Sequence, residues 1–317
     1  MIKQNKLQFD MDSGLSSFFS FLKRGKGHVF RYMWNRFQWN YFHRLNLVPP
    51  FPLNIDIEAC SMCNLLCDHC FRQYMDIPES SLMPMPLYKK IVDECAAYKL
   101  FTLKFSMRGE PLMHPDIVDM VSYAHGVGIK EVWINSNGGL LTEKMAEGLI
   151  RAGLDCLTIS FDGLGEMYES IRMPMKYEEM LAKLKMFMNV RKRLKASNPL
   201  VKVQTLWSAV KNNPEEYIKT MRPIVDKISY NIDFDFQKIH FVPDPDYICY
   251  RLWQRLAITS EGNVIKCPSD FEQKEILGNV SDNSIKALWD TKQNEERQRH
   301  LMKNRLTSAV CLKCHHG

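Results

Sequence analysis

Between residues 53 and about 240, the chain alternates short strand patterns with amphipathic helical patterns. In the first strand pattern, Asn54, Asp56 and Glu58 take one face while Ile55 and Ile57 take the other. Strands are predicted at 53–58, 102–108, 130–136, 156–162, 201–207 and 231–238, and helices at 86–99, 115–127, 142–152, 176–195 and 214–227. Strands that alternate with helices are typical of an α/β fold with a parallel sheet.

The predicted strands differ from ordinary parallel strands because one face of nearly every strand is polar. Parallel strands that are buried on both faces read as continuous apolar runs, whereas here Lys104, Ser106 and Arg108 alternate with Phe105 and Met107. We therefore expect a partial, TIM-like (β/α)6 barrel over residues 53–240. Its apolar face would lie under the helices, and its polar face would line a cavity. In such barrels the chemistry lies at the carboxyl ends of the strands.

The stretch before the barrel, residues 1–52, is rich in aromatic and basic side chains. Phe30, Trp34, Phe37, Tyr41 and Leu45 recur at helical spacing. We favour a helical extension that packs this stripe against the barrel. The alternative is a helix that contacts a membrane surface or a partner protein.

Composition excludes several classes of protein. The 317 residues contain 45% hydrophobic and 25% charged residues, as in folded domains, and the net charge of +6 is mild. This charge would suit an anionic substrate or a protein electron donor and does not require a nucleic acid, so we expect none. No apolar run approaches the ~18 residues of a membrane span. We expect no signal peptide and a cytoplasmic location, where the ten cysteines would serve metal binding or catalysis rather than disulfides.

Four cysteines lie within eleven residues after the first predicted strand, in the stretch EACSMCNLLCDHC (58–70). A zinc site would pair Cys60 and Cys63 with Cys67 and Cys70, but only three residues separate the two pairs, and zinc fingers use a longer spacer. The spacing of Cys63, Cys67 and Cys70 instead places three thiolates on one tight loop. Three thiolates can hold a [4Fe–4S] cube and leave its fourth iron open to another ligand.

This CxxxCxxC loop resembles the signature of the radical S-adenosylmethionine (SAM) superfamily. Later strand ends add to the resemblance: SMRGEP (106–111) is similar to the family's glycine–glutamate motif, with arginine in place of the first glycine, NSNG (135–138) to its NxNG turn, and ISFDG (159–163) to its ribose-binding strand. The resemblance implies contacts with SAM from His69, Arg108, Gly109, Glu110, Ser136, Asn137, Ser160, Asp162 and Arg172. It also implies that SAM is cleaved reductively to a 5′-deoxyadenosyl radical, with an electron donor such as flavodoxin or ferredoxin.

A second group of cysteines lies near the end of the chain, at Cys249, Cys267, Cys311 and Cys314. The segment from Cys249 to Cys267 predicts a hairpin with its turn at residues 261–263. This region resembles the twitch form of the SPASM domain, which implies a small α+β subdomain at 241–317 and a fully ligated auxiliary [4Fe–4S] cluster. A zinc site is the alternative, because four thiolates can hold either metal centre.

The expected reaction is hydrogen abstraction from a small polar substrate, followed by dehydrogenation of a secondary alcohol in a sugar or aminocyclitol, as in the butirosin-pathway type of this architecture. Glu58, Asp235 and His240 are the candidate bases, and Arg172 could hold the substrate. The alternatives are a peptide- or protein-modifying maturase of the sulfatase-maturase or thioether type, a sugar epimerase, and a zinc-stabilised binding protein.

Overall fold

The computed structural model describes residues 8–11, 28–76, 81–233 and 243–314. Within them lie eleven α-helices: α1 (Val29–Tyr41), α2 (Met85–Ala97), α3 (Ile117–Gly126), α4 (Glu143–Arg151), α5 (Glu166–Ile171), α6 (Tyr177–Arg193), α7 (Trp207–Val210), α8 (Pro214–Met221), α9 (Ile285–Asp290), α10 (Lys292–Leu301) and α11 (Ala309–Leu312). The strands are β1 (Gln8–Asp10), β2 (Asn54–Ile57), β3 (Thr102–Phe105), β4 (Glu131–Ser136), β5 (Cys156–Ser160), β6 (Leu200–Leu206), β7 (Lys227–Asn231), β8 (Arg255–Ile258), β9 (Asn263–Ile265) and β10 (Ile276–Asn279).

Strands β2 to β7 form the predicted partial barrel. They are adjacent in sequence order, and each pairs in parallel with the next. The α/β fold class is therefore confirmed. The sixth strand was wrongly placed: it spans Lys227–Asn231 rather than 231–238, because helix α8 ends at Met221 and the chain turns early into the sheet. Most of the segment predicted for that strand, residues 234–238, lies outside the described residues.

The alternating pattern of the strands separates two environments. In β6, Val201 and Val203 are completely buried under the helices, whereas Lys202 and Gln204 remain partly exposed. Strand β4 shows the same alternation. The partly exposed positions thus face the inside of the barrel; most of them are polar, although Trp133 of β4 is among them, and the buried valines and isoleucines form the core with the helices.

The C-terminal region continues the barrel sheet. Strand β8 pairs in parallel with β2, and Asn54 lies opposite Arg255. Strands β8 and β9 form the predicted antiparallel hairpin, with Gly262 in its turn at a positive φ of 85°. Strand β10 then pairs with β9 and ends the ten-stranded sheet. The residues that follow the hairpin are therefore held close to the first barrel strand.

Helix α1 packs against the barrel, but not through the predicted aromatic stripe. The covered face carries Tyr32, Asn35 and Gln38, and the Tyr32 ring lies 5.8 Å from that of Phe101. The stripe itself is exposed: the exposed fraction of Phe30 is 89%. Its other members, Trp34, Phe37, Tyr41 and Leu45, are exposed too, and the ring of Phe37 contacts those of Trp34 and Tyr41.

Helical spacing shows that the aromatic residues share one face of α1. It does not show which face packs against the barrel, because that depends on the barrel surface that the helix meets. Here the ends of α2 and β3 accept the polar side of the helix. Arg31, for example, donates to the carbonyl oxygen of Lys99. No helix in the described part of the chain is long and apolar enough to cross a membrane.

Candidate active site

The loop after β2 carries Cys63, Cys67 and Cys70 at the carboxyl ends of the barrel strands. Backbone hydrogen bonds anchor it, since the amide of Leu66 donates to the Met173 oxygen at 2.8 Å. Burial raises the pKa of the Cys67 and Cys70 thiols, while Arg172 acts in the opposite direction on both. Thiolates, not thiols, are the ligands of metal centres, so a centre bound here would release these protons. These three cysteines are placed to hold a metal centre.

Gly109 allows β3 to approach this loop closely. A Cβ atom at this position would lie 2.2 Å from the Cys60 oxygen and 2.5 Å from the Met62 oxygen, closer than atoms can pack. The next amide, that of Glu110, donates to the Met62 oxygen at 2.7 Å. Only glycine fits here, so the glycine of the motif fixes the distance between the cysteine loop and the end of β3.

Glu110, Ser136 and Asn137, three of the predicted SAM contacts, lie together at the ends of β3 and β4. The Glu110 carboxylate accepts hydrogen bonds from the Ser136 hydroxyl and the Asn137 amide, both at 2.7 Å. Burial raises the pKa of Glu110 even though these donors act against it. The Asn137 side chain donates to Asn64 at 2.9 Å and lies 3.8 Å from the Cys63 sulfur. The buried carboxylate is therefore linked to the cysteine loop.

Asp162 and Arg172 form a second buried cluster beside the loop. The Arg172 Nε donates to Asp162 at 2.5 Å, and the backbone amide of Leu206 donates to the other Asp162 oxygen at 2.7 Å. Arg172 also lies 3.7 Å from the Cys67 sulfur. The half-buried Ser160 is the last residue of β5, two residues before Asp162. Arg172 thus reaches the loop at Cys67, and its charge also acts on Glu110.

Glu58 and Arg108, predicted as a base and a SAM contact, bind each other. The Arg108 guanidinium donates to both Glu58 oxygens at 2.6 Å, and Ser260 from the C-terminal hairpin donates to one of them at 2.9 Å. The side chains are 1% and 0% exposed. This arrangement favours a structural role for the pair, which joins the hairpin to the barrel. The roles of Glu58 as a base and of Arg108 as a SAM contact stay predictions.

Three predicted site residues remain: His69, Asp235 and His240. His69 lies on the cysteine loop, half-exposed, with its Nδ1 3.3 Å from the Asp68 carboxylate. Asp235 and His240, the other two candidate bases, lie outside the described residues.

The four C-terminal cysteines line one cavity. Cys249, Cys267, Cys311 and Cys314 surround a space of about 90 Å³ together with the buried His300. Its Nε2 lies 3.6 Å from the Cys311 sulfur. Burial raises the pKa of both the Cys249 and the Cys311 thiols. The four cysteines thus line a common volume, with Cys249 and Cys311 buried and Cys267 and Cys314 partly exposed.

Sequence reasoning missed the side chains that connect the two cysteine regions. Phe71, directly after the first set, stacks on Phe271, which follows Cys267, with ring centroids 3.6 Å apart. The next residue, Arg72, donates to the oxygens of Ser61 and Arg108 at 2.5 and 3.2 Å and so fixes this end of the loop to the barrel. Phe71 stands next to a cysteine of the motif, but no periodicity or spacing could have indicated its distant partner.

Both donor sets fit iron–sulfur clusters. Among the described residues, no three His, Cys, Asp or Glu side chains converge on a single metal ion. The donors at each site are thiols, the ligands that hold iron–sulfur clusters. The C-terminal set offers four of them around one volume, and the loop offers three beside a buried polar site.

Comparisons with known proteins agree with this geometry. Residues 57–222, more than half of the chain, match the radical SAM superfamily, and residues 249–315 match an iron–sulfur cluster-binding domain of the SPASM type. Two curated relatives come from Methanosarcina barkeri. An AdoMet-dependent heme synthase is 30% identical over 58% of this chain and 50% of its own length, and an Fe-coproporphyrin III synthase is 34% identical over 35% of this chain and 27% of its own length.

A further relative is a tungsten-containing aldehyde ferredoxin oxidoreductase cofactor-modifying protein from Pyrococcus furiosus, 36% identical over 34% of this chain and 30% of its own length. The chain thus spans about a quarter to a half of the length of these relatives.

Solved structures share the fold. BtrN in complex with AdoMet and 2-DOIA superimposes with a TM-score of 0.58 and 20% identity, covering 84% of this chain and 93% of BtrN. Streptococcus suis SuiB bound to S-adenosylmethionine gives 0.60 and 13% identity, over 86% of this chain and 74% of SuiB. The two family matches imply a SAM-binding [4Fe–4S] cluster and an auxiliary cluster. The chain belongs to the radical SAM superfamily and carries a C-terminal SPASM-type iron–sulfur domain.

Proposed function

We propose that the protein is a radical SAM dehydrogenase that oxidises a secondary alcohol of a small polar substrate, such as a sugar or aminocyclitol. Cys63, Cys67 and Cys70 would hold the SAM-binding cluster. The auxiliary cluster would be held by Cys249, Cys267, Cys311 and Cys314. A flavodoxin or ferredoxin would act as the electron donor.

The observation that carries this proposal is the cavity lined by all four C-terminal cysteines. A centre with four thiolate ligands has no iron open to substrate and suits electron transfer. Oxidation of an alcohol to a ketone removes a hydrogen atom, a proton and one further electron from the substrate. When bound, SAM and its cluster supply the acceptor for the hydrogen atom, and the auxiliary cluster supplies the acceptor for the electron.

The residues around the cysteine loop would bind and orient SAM. The Glu110 carboxylate, held by Ser136 and Asn137, would receive the amino group of SAM. Arg172 would exchange part of its contact with Asp162 for the SAM carboxylate, and His69 would support the adenine. Glu110 and Arg172 are already held by hydrogen bonds, so these two side chains would lose little conformational freedom on binding.

Glu58 has little freedom to accept a proton, because both of its oxygens already bind Arg108. We therefore assign the proton transfer to Asp235 or His240. Among the fold neighbours, BtrN is described with 2-DOIA, a small molecule, and SuiB with a precursor peptide. The proposal follows the small-molecule case because the barrel interior is lined by polar side chains.

The test is anaerobic turnover with SAM and dithionite on a panel of sugars and aminocyclitols deuterated at the carbinol carbon. We expect ketone and 5′-deoxyadenosine in about equal amounts, with deuterium retained in the 5′-deoxyadenosine. Cys63→Ala should abolish both products. The matched control Cys95→Ala, a buried core cysteine remote from the motif, should retain them.

Three other outcomes would overturn the dehydrogenase assignment. Solvent deuterium in an unoxidised product of inverted configuration would indicate an epimerase. A product with a new C–S or C–C bond in a peptide would indicate a maturase. Zinc in place of iron, without cleavage of SAM, would indicate a binding protein.

A further inference from the structure

Two lysines face the inside of the barrel. Lys104 lies between Leu103 and Phe105 on β3, and Lys202 lies between Val201 and Val203 on β6. All four apolar neighbours are completely buried under the helices, so the lysine side chains project to the other side of the sheet. Both lysines remain partly exposed, which means that solvent or a ligand can reach them from within the barrel.

The register places these lysines below the SAM contacts. Lys104 lies opposite Asp56 on β2, one residue before the end of its strand. Lys202 lies opposite Thr158 on β5, one position before the pair of Ile159 and Val203. The carboxyl ends of the strands carry the cysteine loop and Glu110, so the lysines lie on the inner side of that site.

Positive charges outnumber negative ones around the two lysines: Arg251, Arg255 and Lys227 act on them, against Asp56 and Asp10. Asp56 binds Arg255 at 3.2 Å, and Asp10 binds Lys227 at 3.0 Å. Asp56 faces Lys104 and favours its charged form, but in the described segments neither lysine amino group lies within hydrogen-bond or ion-pair distance of a partner. Burial lowers the pKa of both, that of Lys202 to about 8, and Lys104 contributes to the change at Lys202.

A partly buried ammonium group whose charged neighbours are mostly cations is costly for a folded protein. Two of them that act on each other across one interior would lower this cost by binding a shared anion. The Arg108 and Arg172 guanidinium groups are already bound to Glu58 and Asp162, so they do not provide the same attraction.

We propose that Lys104 and Lys202 bind an oxyanion, a carboxylate or a phosphate, on the substrate that the barrel receives. This inference rests on the proposed function and narrows its substrate to alcohols that carry such a group. The lysines would hold the anionic end of the substrate in the barrel and leave the carbinol carbon toward the cysteine loop.

The test is calorimetric titration of the reconstituted protein, with both clusters and SAM, against inorganic phosphate and against succinate. Saturable binding of one of them identifies the oxyanion. Lys104→Met and Lys202→Met should each weaken this binding at least tenfold. Lys185→Met, which removes the same charge from an exposed position of α6, should leave it unchanged.

The pH dependence supplies a readout that a packing defect would not produce. The Lys202 amino group is charged below its pKa and neutral above it, so anion binding should be present below about pH 8 and lost above it. Lys202→Arg should extend binding to higher pH because a guanidinium stays charged. The proposal is overturned if neither anion saturates the wild-type protein, or if Lys185→Met weakens binding as much as Lys202→Met.

The two proposals can fail separately. Anion binding that depends on the lysines, with no alcohol oxidised across the panel, would remove the dehydrogenase function and keep this site. Oxidation of a neutral alcohol that is unaffected by Lys104→Met and Lys202→Met would remove this site and keep the function.

Discussion

Glu58 and Arg108 form a bidentate ion pair that is almost completely closed to water. Removing two charges from water carries a large desolvation cost, which the pair offsets through good geometry and the further hydrogen bond from Ser260. Neither partner is easily replaced alone, because the other would remain charged and buried. At the scale of single residues, this pair dominates the electrostatics between β2, β3 and the C-terminal hairpin.

We predict that Arg108→Met lowers the free energy of unfolding by about 3–5 kcal/mol, because it leaves the Glu58 carboxylate buried and unpaired. The double variant Glu58→Leu/Arg108→Met should recover most of this loss. Arg193→Met breaks an exposed ion pair with Glu143 and serves as the control, with a much smaller loss because solvent screens exposed charges. Urea unfolding measured by circular dichroism compares the three. Equal effects of Arg108→Met and Arg193→Met would contradict the structural role.

Sequence motifs could predict which strand ends meet but not which side chains pair. Glu110, Ser136 and Asn137 follow successive strands, and their proximity was foreseeable because parallel strands end at one edge of a sheet. Arg108 occupies a motif position too. Its partner Glu58 lies fifty residues earlier and is predicted from the sequence to be a base. Only the structure shows that the two side chains form an ion pair.

Helix α1 illustrates the same limit for a whole element. Its periodicity correctly indicated a helix, but the aromatic stripe is the more exposed side and the mixed face of Tyr32, Asn35 and Gln38 is covered. The sequence predicts β7 a few residues too late, because the helix before it ends at Met221 and not at residue 227 as predicted. Periodicity specifies an element's type and faces, while its ends and its contacts depend on the neighbouring surface.

We expect Tyr32→Ala and Phe30→Ala, two residues apart on α1, to differ sharply. The Tyr32 side chain is 3% exposed, so its removal leaves a cavity against Phe101 and should cost about 3 kcal/mol. Phe30 should change the free energy of unfolding by no more than about 0.5 kcal/mol. Thermal or urea unfolding measures both, and a larger loss for Phe30→Ala would mean that α1 packs in another orientation.

At the scale of the whole molecule, two sets of cysteines lie along one continuous sheet. The first follows β2, and the second is attached to the hairpin that starts with β8, the parallel neighbour of β2. The Phe71–Phe271 stack and the contacts of Glu58 and Ser260 bridge the two regions. We therefore predict that the two clusters carry out different steps of the reaction, although the regions that hold them pack against each other.

We predict that variants of the two sets lose different activities. Cys67→Ala should remove one [4Fe–4S] unit and abolish cleavage of SAM. Cys267→Ala should also remove one unit, yet retain SAM cleavage and lose most of the oxidised product. The control Cys60→Ala, a buried cysteine outside the CxxxCxxC spacing, should keep both units. Iron and sulfide analysis with product quantification tests this, and full product yield from Cys267→Ala would exclude electron transfer through the second cluster.

The pairing of β2 with β8 has a consequence for how the protein is made. One edge of β2 stays open until residues 255–258 have left the ribosome. At 5–20 residues per second, the intervening stretch of about 200 residues takes on the order of 10–40 s to synthesise. Throughout that interval the nascent chain exposes an unpaired strand edge beside reactive thiols. Chaperone protection and delayed insertion of iron would therefore favour correct maturation, and slow translation or early oxidation would reduce the yield of active enzyme.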